Sequence, residues 1–366
     1  MEDANLSGFY DQTRAAKKIL VVDLGFFGDT LQLLPALWEI KQHYPQAELH
    51  VLSSPLGAEV VRLAPWVERA WSMMLDPAQR SWREQLMILH ALREERFDVA
   101  FNFGGNDRTI IMTALSGASW RVAHAAGRDH FWNRWLIANW VPRQNPELPV
   151  AEQRRQVLAC CGFNLQAPQY KIEIDATMLD WGAQVVPEGA IHLSINSANP
   201  LKEWPLEHHI VLLRNLWHQF PDLQCVASAG TKPREKQRLQ AFAEAVNDAR
   251  LKPLPENLTL AQLATVLTRC RLHLGPDSGV MHLAVALGIP SVSFFRAQKG
   301  YQAWLPSGSE HSNIIVSCPC IDHAGTACDT AQRAVCLAKI EPQQVAEIVS
   351  KRLGRQTNPS PAAIPL

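Results

Sequence analysis

The chain has 366 residues with 35 Lys plus Arg against 35 Asp plus Glu, so no bulk positive field gathers polyanions, and nucleic-acid binding by net charge is excluded. Hydrophobic residues make up 47% and charged residues 19%, a balance that excludes disorder and, at roughly 150 residues per domain, points to two domains. No apolar run reaches the roughly 20 residues that span a bilayer and the start shows no signal-like apolar stretch, so the expectation is a cytoplasmic protein whose eight cysteines are reduced thiols.

Taken in chain order, Ile19 to Asp23 is a short apolar strand, and Gly25-Phe26-Phe27-Gly28-Asp29 turns it into a helix with Leu31, Leu34, Leu37 and Ile40 at helical spacing. Tyr44-Pro45 ends that helix and Glu48 to Leu52 is the next strand, which makes a strand, helix, strand unit. Phe97 to Phe103 is a further strand ending at Gly104-Gly105, and a stretch rich in Arg and Trp leads to Pro142, Pro146 and Pro149, which reads as a loop. The first half closes near Ala167 to Ala176. Ala190 to Ile195 restarts the alternation as a strand, a polar loop follows from Asn196, and Trp204-Pro205 opens a helix. Leu223 to Ala229 and Leu272 to Leu274 are strands, Lys236 to Val246 and Leu260 to Thr268 are helices, and helix Val280 to Leu287 and strand Ser291 to Phe295 complete the pattern. Two successive α/β halves predict two doubly wound, Rossmann-like domains facing a cleft, with ligands outside the carboxyl ends of the strands. The expected boundaries are 1–175 for the first domain, 176–350 for the second and 351–366 for a flexible tail rich in proline.

Gly275-Pro-Asp-Ser-Gly-Val-Met-His carries the most information. It is a strand-to-helix turn in which Asp277 or Ser278 could cap the helix, and the backbone N–H groups of Ser278 and Gly279 face whatever lies beyond, a ready site for a diphosphate. Gly279 permits close approach. His282 lies four residues beyond Ser278, on the same helix face. A capped helix with a satisfied histidine is the plainer alternative.

The segment GPDSGVMHLAVALGIP, the opening ILVVDLGFFGDTLQLLPAL and the loop NSANPLKEWP together resemble glycosyltransferase family 9, the ADP-heptose:lipopolysaccharide heptosyltransferases, in order and spacing over roughly residues 19 to 348. The resemblance implies a GT-B fold, an ADP-heptose donor in the C-terminal domain, a lipopolysaccharide inner-core acceptor in the N-terminal domain, and a proposed base at Asp29. Inversion at an anomeric centre needs one carboxylate to take the acceptor's proton, and none for a leaving group that is already a phosphate. The other use of an aspartate at this point is to cap the helix. Lys202, with Ser197 and Asn199 near it in sequence, matches a lysine that contacts phosphate, and with the helix N-terminus it would offset the charge on departing ADP without a metal. Ser197-Ala198 stands where the family often has a Thr pair. Glu235 aligns loosely with a ribose-binding glutamate, and a solvated helix-start carboxylate is the alternative. The donor-site set is therefore Ser197, Lys202, Glu235, Asp277, Ser278, Gly279 and His282, with no cofactor beyond the donor itself.

Asn102, Asp107 and Arg108 follow a strand end and could reach an anionic acceptor, or could form a structural loop network. Cys318, Cys320, Cys328 and Cys336 cluster near His311 and His323, but a one-residue gap in Cys-Pro-Cys departs from the usual zinc knuckle, so no metal is assigned. Trp120, Phe131, Trp132, Trp135 and Trp140 occur with Arg121, Arg128, Arg134 and Arg143 against the single acid Asp129. That stretch is either domain core or a basic, aromatic surface in peripheral contact with the inner face of the cytoplasmic membrane. Besides the heptosyltransferase reading, another nucleotide-sugar transferase of the same fold and a catalytically silent glycan-binding relative remain as alternatives.

Overall fold

Ile19, Leu20, Val21 and Val22 are fully shielded from solvent, and a strand apolar on both faces is stable only inside a sheet that helices cover on both sides. The computed structural model describes residues 6–74, 76, 81–124, 132–318 and 334–355. It places this segment, β1 (Lys18–Val22), between parallel neighbours in a six-stranded sheet. The remaining strands of that sheet are β2 (Glu48–Ser53), β3 (Arg69–Ser72), β4 (Val99–Asn102), β5 (Trp120–His124) and β6 (Asn139–Val141), in the order β3-β2-β1-β4-β5-β6. A second parallel sheet holds β7 (Ala190–Ser194), β8 (Cys225–Ser228), β9 (Leu251–Pro253), β10 (Cys270–Pro276), β11 (Ser291–Ala297) and β12 (His311–Ser317), in the order β12-β11-β10-β7-β8-β9. Both orders are the doubly wound arrangement in which the first strand of a unit pairs with its second on one side and its fourth on the other. The chain divides into two compact units between Glu173 and Ile174, two residues before the boundary taken from the sequence.

The stretch read as an Arg- and Trp-rich loop instead contributes β5, a short helix Asn133–Leu136 and β6. Trp140 is buried there and its indole N–H donates to the Ile137 carbonyl at 3.0 Å. At the C-terminal end, the helix Pro342–Arg355 continues past residue 350 into the segment expected to be a tail. Its Val345, Ala346, Val349 and Leu353 join the core of the second unit with Trp204, Phe294 and Leu212. Residues 356–366 lie outside the described residues.

In such sheets a ligand binds beyond the carboxyl ends of the strands, where the strand order reverses. These points fall at β1 and β4 in the first unit and at β7 and β10 in the second. In the first unit the helix Val150–Cys160 is locked onto the helix Phe27–His43 by Arg155, whose Nη2 lies 3.1 Å from Glu39 Oε1 with both side chains buried. In the second, Trp204 stacks on Phe294 with ring centroids 4.8 Å apart and donates to the Ile340 carbonyl, which fixes the end of the loop that carries Lys202.

Candidate active site

The turn after β10 brings three of the expected donor-site residues together. Lys202 Nζ lies 2.6 Å from Asp277 Oδ2, and His282 Nε2 lies 3.7 Å from Asp277 Oδ1. Burial pushes the Asp277 carboxyl up, but the His282 contact and the Lys202 ammonium outweigh it and hold the carboxyl below its ordinary value. An ionised Asp277 therefore anchors both cationic or hydrogen-bonding partners. Lys202 reaches it from a single 3-10 turn, Pro200–Lys202, that Asn199 caps by accepting the Leu201 N–H at 3.0 Å.

The helix Gly279–Ala286 begins directly after Ser278. Neither capping candidate caps it: Ser278 makes no side-chain cap hydrogen bond, and the Asp277 carboxylate is engaged by Lys202. Ser278 Oγ is buried with no hydrogen-bond partner. An uncapped helix N-terminus presents orphan N–H donors and a partial positive charge, which together suit a phosphate oxygen. Gly279, the first residue of the helix, adds no side chain to block that approach.

Ser197 is buried, its N–H donating to Glu203 Oε1 at 2.9 Å and its carbonyl accepting from Arg234 Nη2 at 2.8 Å. Arg234 grips Glu203 with two hydrogen bonds, at 2.7 and 3.0 Å. This bidentate pair, absent from the sequence reading, holds the Ser197 loop in place. Glu235 is only 7% exposed, which overturns its reading as a solvated helix-start carboxylate. It folds over Gly230, where even a methyl group would collide with Glu235 Oε2. Burial pushes its carboxyl up, against the pull of Arg234 and Lys232. A buried carboxyl held beside a glycine turn is a fitting acceptor for a sugar hydroxyl.

In the first unit Asp29 sits in the first turn of Phe27–His43 and accepts the Phe26 N–H at 2.9 Å on Oδ2. Its side chain keeps 25% exposure, so the carboxylate both closes the helix end and faces outward. The capping use weighed from the sequence is present, and the carboxylate stays partly open to solvent. Asn102 does not face a ligand: it has no solvent exposure, donates to Thr113 Oγ1 at 2.8 Å and accepts the Gly105 N–H at 3.1 Å. Its role is to shape the loop after β4, because a fully buried amide is spent on partners inside the protein. Asp107 accepts from Asn133 Nδ2 at 2.8 Å, and Arg108 beside it is half-buried.

Three residues the sequence reading missed cluster beside Asp29. Arg154 Nη2 lies 3.1 Å from Asp23 Oδ2 and 3.9 Å from Asp29 Oδ1. His124 ends β5, and burial together with the adjacent Arg154 pulls it down to about 4. Asp23 is visible in the sequence as the end of a strand, but nothing local marks Arg154 or His124 as its neighbours.

Of the aromatic stretch, Trp135 is 85% exposed and Trp132 is exposed too, which removes the core alternative for these two, whereas Trp140 is core. Arg121 is turned inward, donating to the Leu136 and Ala118 carbonyls at 3.1 and 2.8 Å, so it leaves the basic surface. Arg128, Asp129, Phe131 and the side chain of Arg134 lie outside the described residues. Cys318 and Cys336 are buried, with Cys318 Sγ accepting from Arg296 Nη2 at 3.3 Å. Cys320, His323 and Cys328 lie outside the described residues. Among the described residues, Glu48, His50 and Glu95 bring ligand atoms together. Lys18, 2.7 Å from Glu95 and 3.3 Å from Glu48, and Arg69, 3.0 Å from Glu95, already supply the positive charge there.

The family model for glycosyltransferase family 9 (heptosyltransferase) matches residues 86–322. The chain belongs to glycosyltransferase family 9. It is 24% identical over 300 residues to the lipopolysaccharide heptosyltransferase 2 of Escherichia coli (strain K12), covering 76% of this chain and 82% of that protein. A solved family 9 glycosyltransferase from Veillonella parvula superposes with a TM-score of 0.77 at 18% identity, over 93% of this chain and 98% of that one. The E. coli heptosyltransferase WaaC, solved with ADP, gives a TM-score of 0.74 at 17% identity, over 92% and 99%. The fold is GT-B, as the resemblance implies, and the protein is a glycosyltransferase. Among the described residues no helix is long and apolar enough to cross a membrane.

Proposed function

We propose that this glycosyltransferase moves heptose, with inversion, from ADP-heptose to an inner-core sugar of lipopolysaccharide. The observation that carries the reading is the cluster of Lys202, Asp277 and His282 at the start of an uncapped helix. A nucleoside diphosphate departing from the sugar builds negative charge, and an ammonium fixed by a carboxylate beside a helix N-terminus offsets that charge in place. Lys202 and the helix then do the work that other transferases give to a divalent cation, and the reaction runs without one. Glu235, buried against Gly230, would take a ribose hydroxyl. Asp29 would accept the acceptor's proton as its oxygen attacks, while Asp107 and Arg108 would meet the acceptor's polar groups. The choice of ADP and of heptose rests on the relatives, one of which is solved with ADP. We place the protein at the cytoplasmic face of the membrane, held there by exposed Trp132 and Trp135.

Calorimetric titration with ADP, GDP and UDP tests the donor. ADP should bind at least about 10-fold more tightly than the others, a difference of about 1.4 kcal/mol, and a chelator should leave the titration and the transfer rate unchanged. Equal binding of all three nucleotides, or activity lost to chelator and restored by magnesium, contradicts the reading.

A further inference from the structure

Arg296 stands near the carboxyl end of β11 and is buried. Burying a guanidinium is costly unless its N–H groups find acceptors. Two of its contacts are to the Leu201 carbonyl, from Nη1 at 2.7 Å, and to Cys318 Sγ, from Nη2 at 3.3 Å. Leu201 is the residue before Lys202, so this carbonyl belongs to the peptide that leads into the lysine. The N–H of the same peptide donates to the Asn199 carbonyl at 3.0 Å. With both polar ends held, the planar peptide is fixed, and the direction in which the Lys202 side chain leaves the backbone is fixed with it. Phe294, two residues before Arg296 and therefore on the same face of the strand, stacks on Trp204, and its carbonyl accepts the Asp277 N–H at 3.1 Å. Lys202, Asp277, Phe294 and Arg296 line one small cavity. One strand thus carries both the arginine that holds the backbone ahead of the lysine and the carbonyl that holds the backbone of the aspartate receiving its ammonium.

We propose that Arg296 is a positioning residue for Lys202: it ties the turn Pro200–Lys202 to β11, so that the ammonium stays beside Asp277 and the start of the helix Gly279–Ala286. The proposal rests on the reading of Lys202 as the group that meets the diphosphate. A single 3-10 turn closes few hydrogen bonds of its own, and a lysine stem is flexible along its whole length. Asp277 restrains the tip of that stem, 2.6 Å from Nζ, whereas Arg296 restrains its root. With the tip alone held, an ammonium drawn toward phosphate oxygens must order the turn as the nucleotide binds, at a cost in affinity. With the root held, that order is already present in the free protein. The arginine acts through the Leu201 carbonyl and not by touching the nucleotide, which sets a limit on its effect: its loss weakens binding no more than the loss of Lys202 itself, and weakens it little where Lys202 is already gone.

The test is a pair of double-mutant cycles read by calorimetric titration with ADP, each protein being assayed well below its own unfolding midpoint. Arg296→Met and Arg296→Lys are made in wild type and in Lys202→Ala. Arg296→Met removes the donor to Leu201 at similar side-chain length, and with Lys202 present it should weaken ADP binding about 5-fold. Arg296→Lys keeps a cationic donor but not the fork that reaches a carbonyl and a thiol together, so it should lose about 2- to 3-fold, less than Arg296→Met. In the Lys202→Ala background both losses should shrink to less than about 1.5-fold, a coupling that a general loosening of the unit would not produce. Either cycle decides alone, so the proposal stays open to refutation if Arg296→Met does not fold. An unchanged affinity in a folded Arg296 variant, or the same fold-loss with and without Lys202, overturns the proposal while leaving Lys202 at the diphosphate; the second result would make Arg296 a contact of the nucleotide or a general support of the unit. An unchanged affinity in Lys202→Ala itself would instead remove the reading beneath it, and the proposal with that reading.

Discussion

Lys202 is the residue on which the donor site turns, because its ammonium is fixed 2.6 Å from an ionised Asp277 and is not left to wander on a flexible stem. Charge-assisted hydrogen bonds to phosphate contribute about 1.5–3 kcal/mol, so Lys202→Ala should weaken ADP binding roughly 10-fold or more by calorimetry. An unchanged affinity would make Lys202 only a partner for Asp277. The carboxyl of Asp277 lies below its ordinary value in the folded protein. Its stabilising contribution is therefore present above the unfolded value and fades as the pH falls through the folded one. Lys202, Asp277 and His282 were legible in the sequence because short motifs place them at fixed distances from strand and helix ends. Asp23, Arg154 and His124 were not: they meet only because β1, β5 and the helix Val150–Cys160 converge, and no local spacing records that meeting.

At the scale of elements, the strands that the sequence shows clearly are the central ones. The segment containing β1, with four consecutive fully buried apolar residues, declares itself. Strand β6 is three residues long, and β9 is equally short and ends in a proline, which suits only the margin of a sheet. Strand β5 carries Trp120, Arg121 and His124, of which Arg121 spends its guanidinium on the Leu136 and Ala118 carbonyls inside the unit, so its composition imitates a loop. The short helix Asn133–Leu136 departs from the core reading in the opposite sense, by projecting Trp135 into solvent. Exposed indoles favour the headgroup region of a membrane. Wild-type protein should co-sediment with vesicles containing anionic phospholipid, and Trp135→Ser should reduce the bound fraction several-fold without changing ADP affinity. Undiminished sedimentation of that variant would remove this helix from any membrane contact.

At the scale of the whole molecule, the fold carries a built-in sensitivity to acid. Burial drives His192 and His209 down to about 3 and His124 to about 4, and it holds His273 well below its ordinary value. His192 and His273 share a contact of 2.9 Å between their Nδ1 atoms, while His209 has no hydrogen-bond partner on either nitrogen. Unfolded histidines take up protons near 6.5 and these folded ones do not, so stability is full above that value and falls as the pH drops below it. Each such group contributes a slope of up to about 1.4 kcal/mol per pH unit. The urea midpoint should fall steeply between about pH 6 and pH 4, and His209→Leu should flatten that fall; an equally steep fall in the variant would place the acid sensitivity elsewhere. Acid lability concerns the scaffold, whereas the account as a whole stands on the reaction assigned to its two sites. The most direct measurement is transfer from ADP-heptose to a purified inner-core acceptor, followed by mass spectrometry of the product and NMR of the new anomeric centre, with wild type and Asp29→Asn side by side. The account requires one added heptose with inverted configuration from the wild type, and a rate lower by about 10² to 10⁴ from Asp29→Asn with ADP affinity retained. No transfer from ADP-heptose, a retained anomeric configuration, or near wild-type turnover by Asp29→Asn would contradict it.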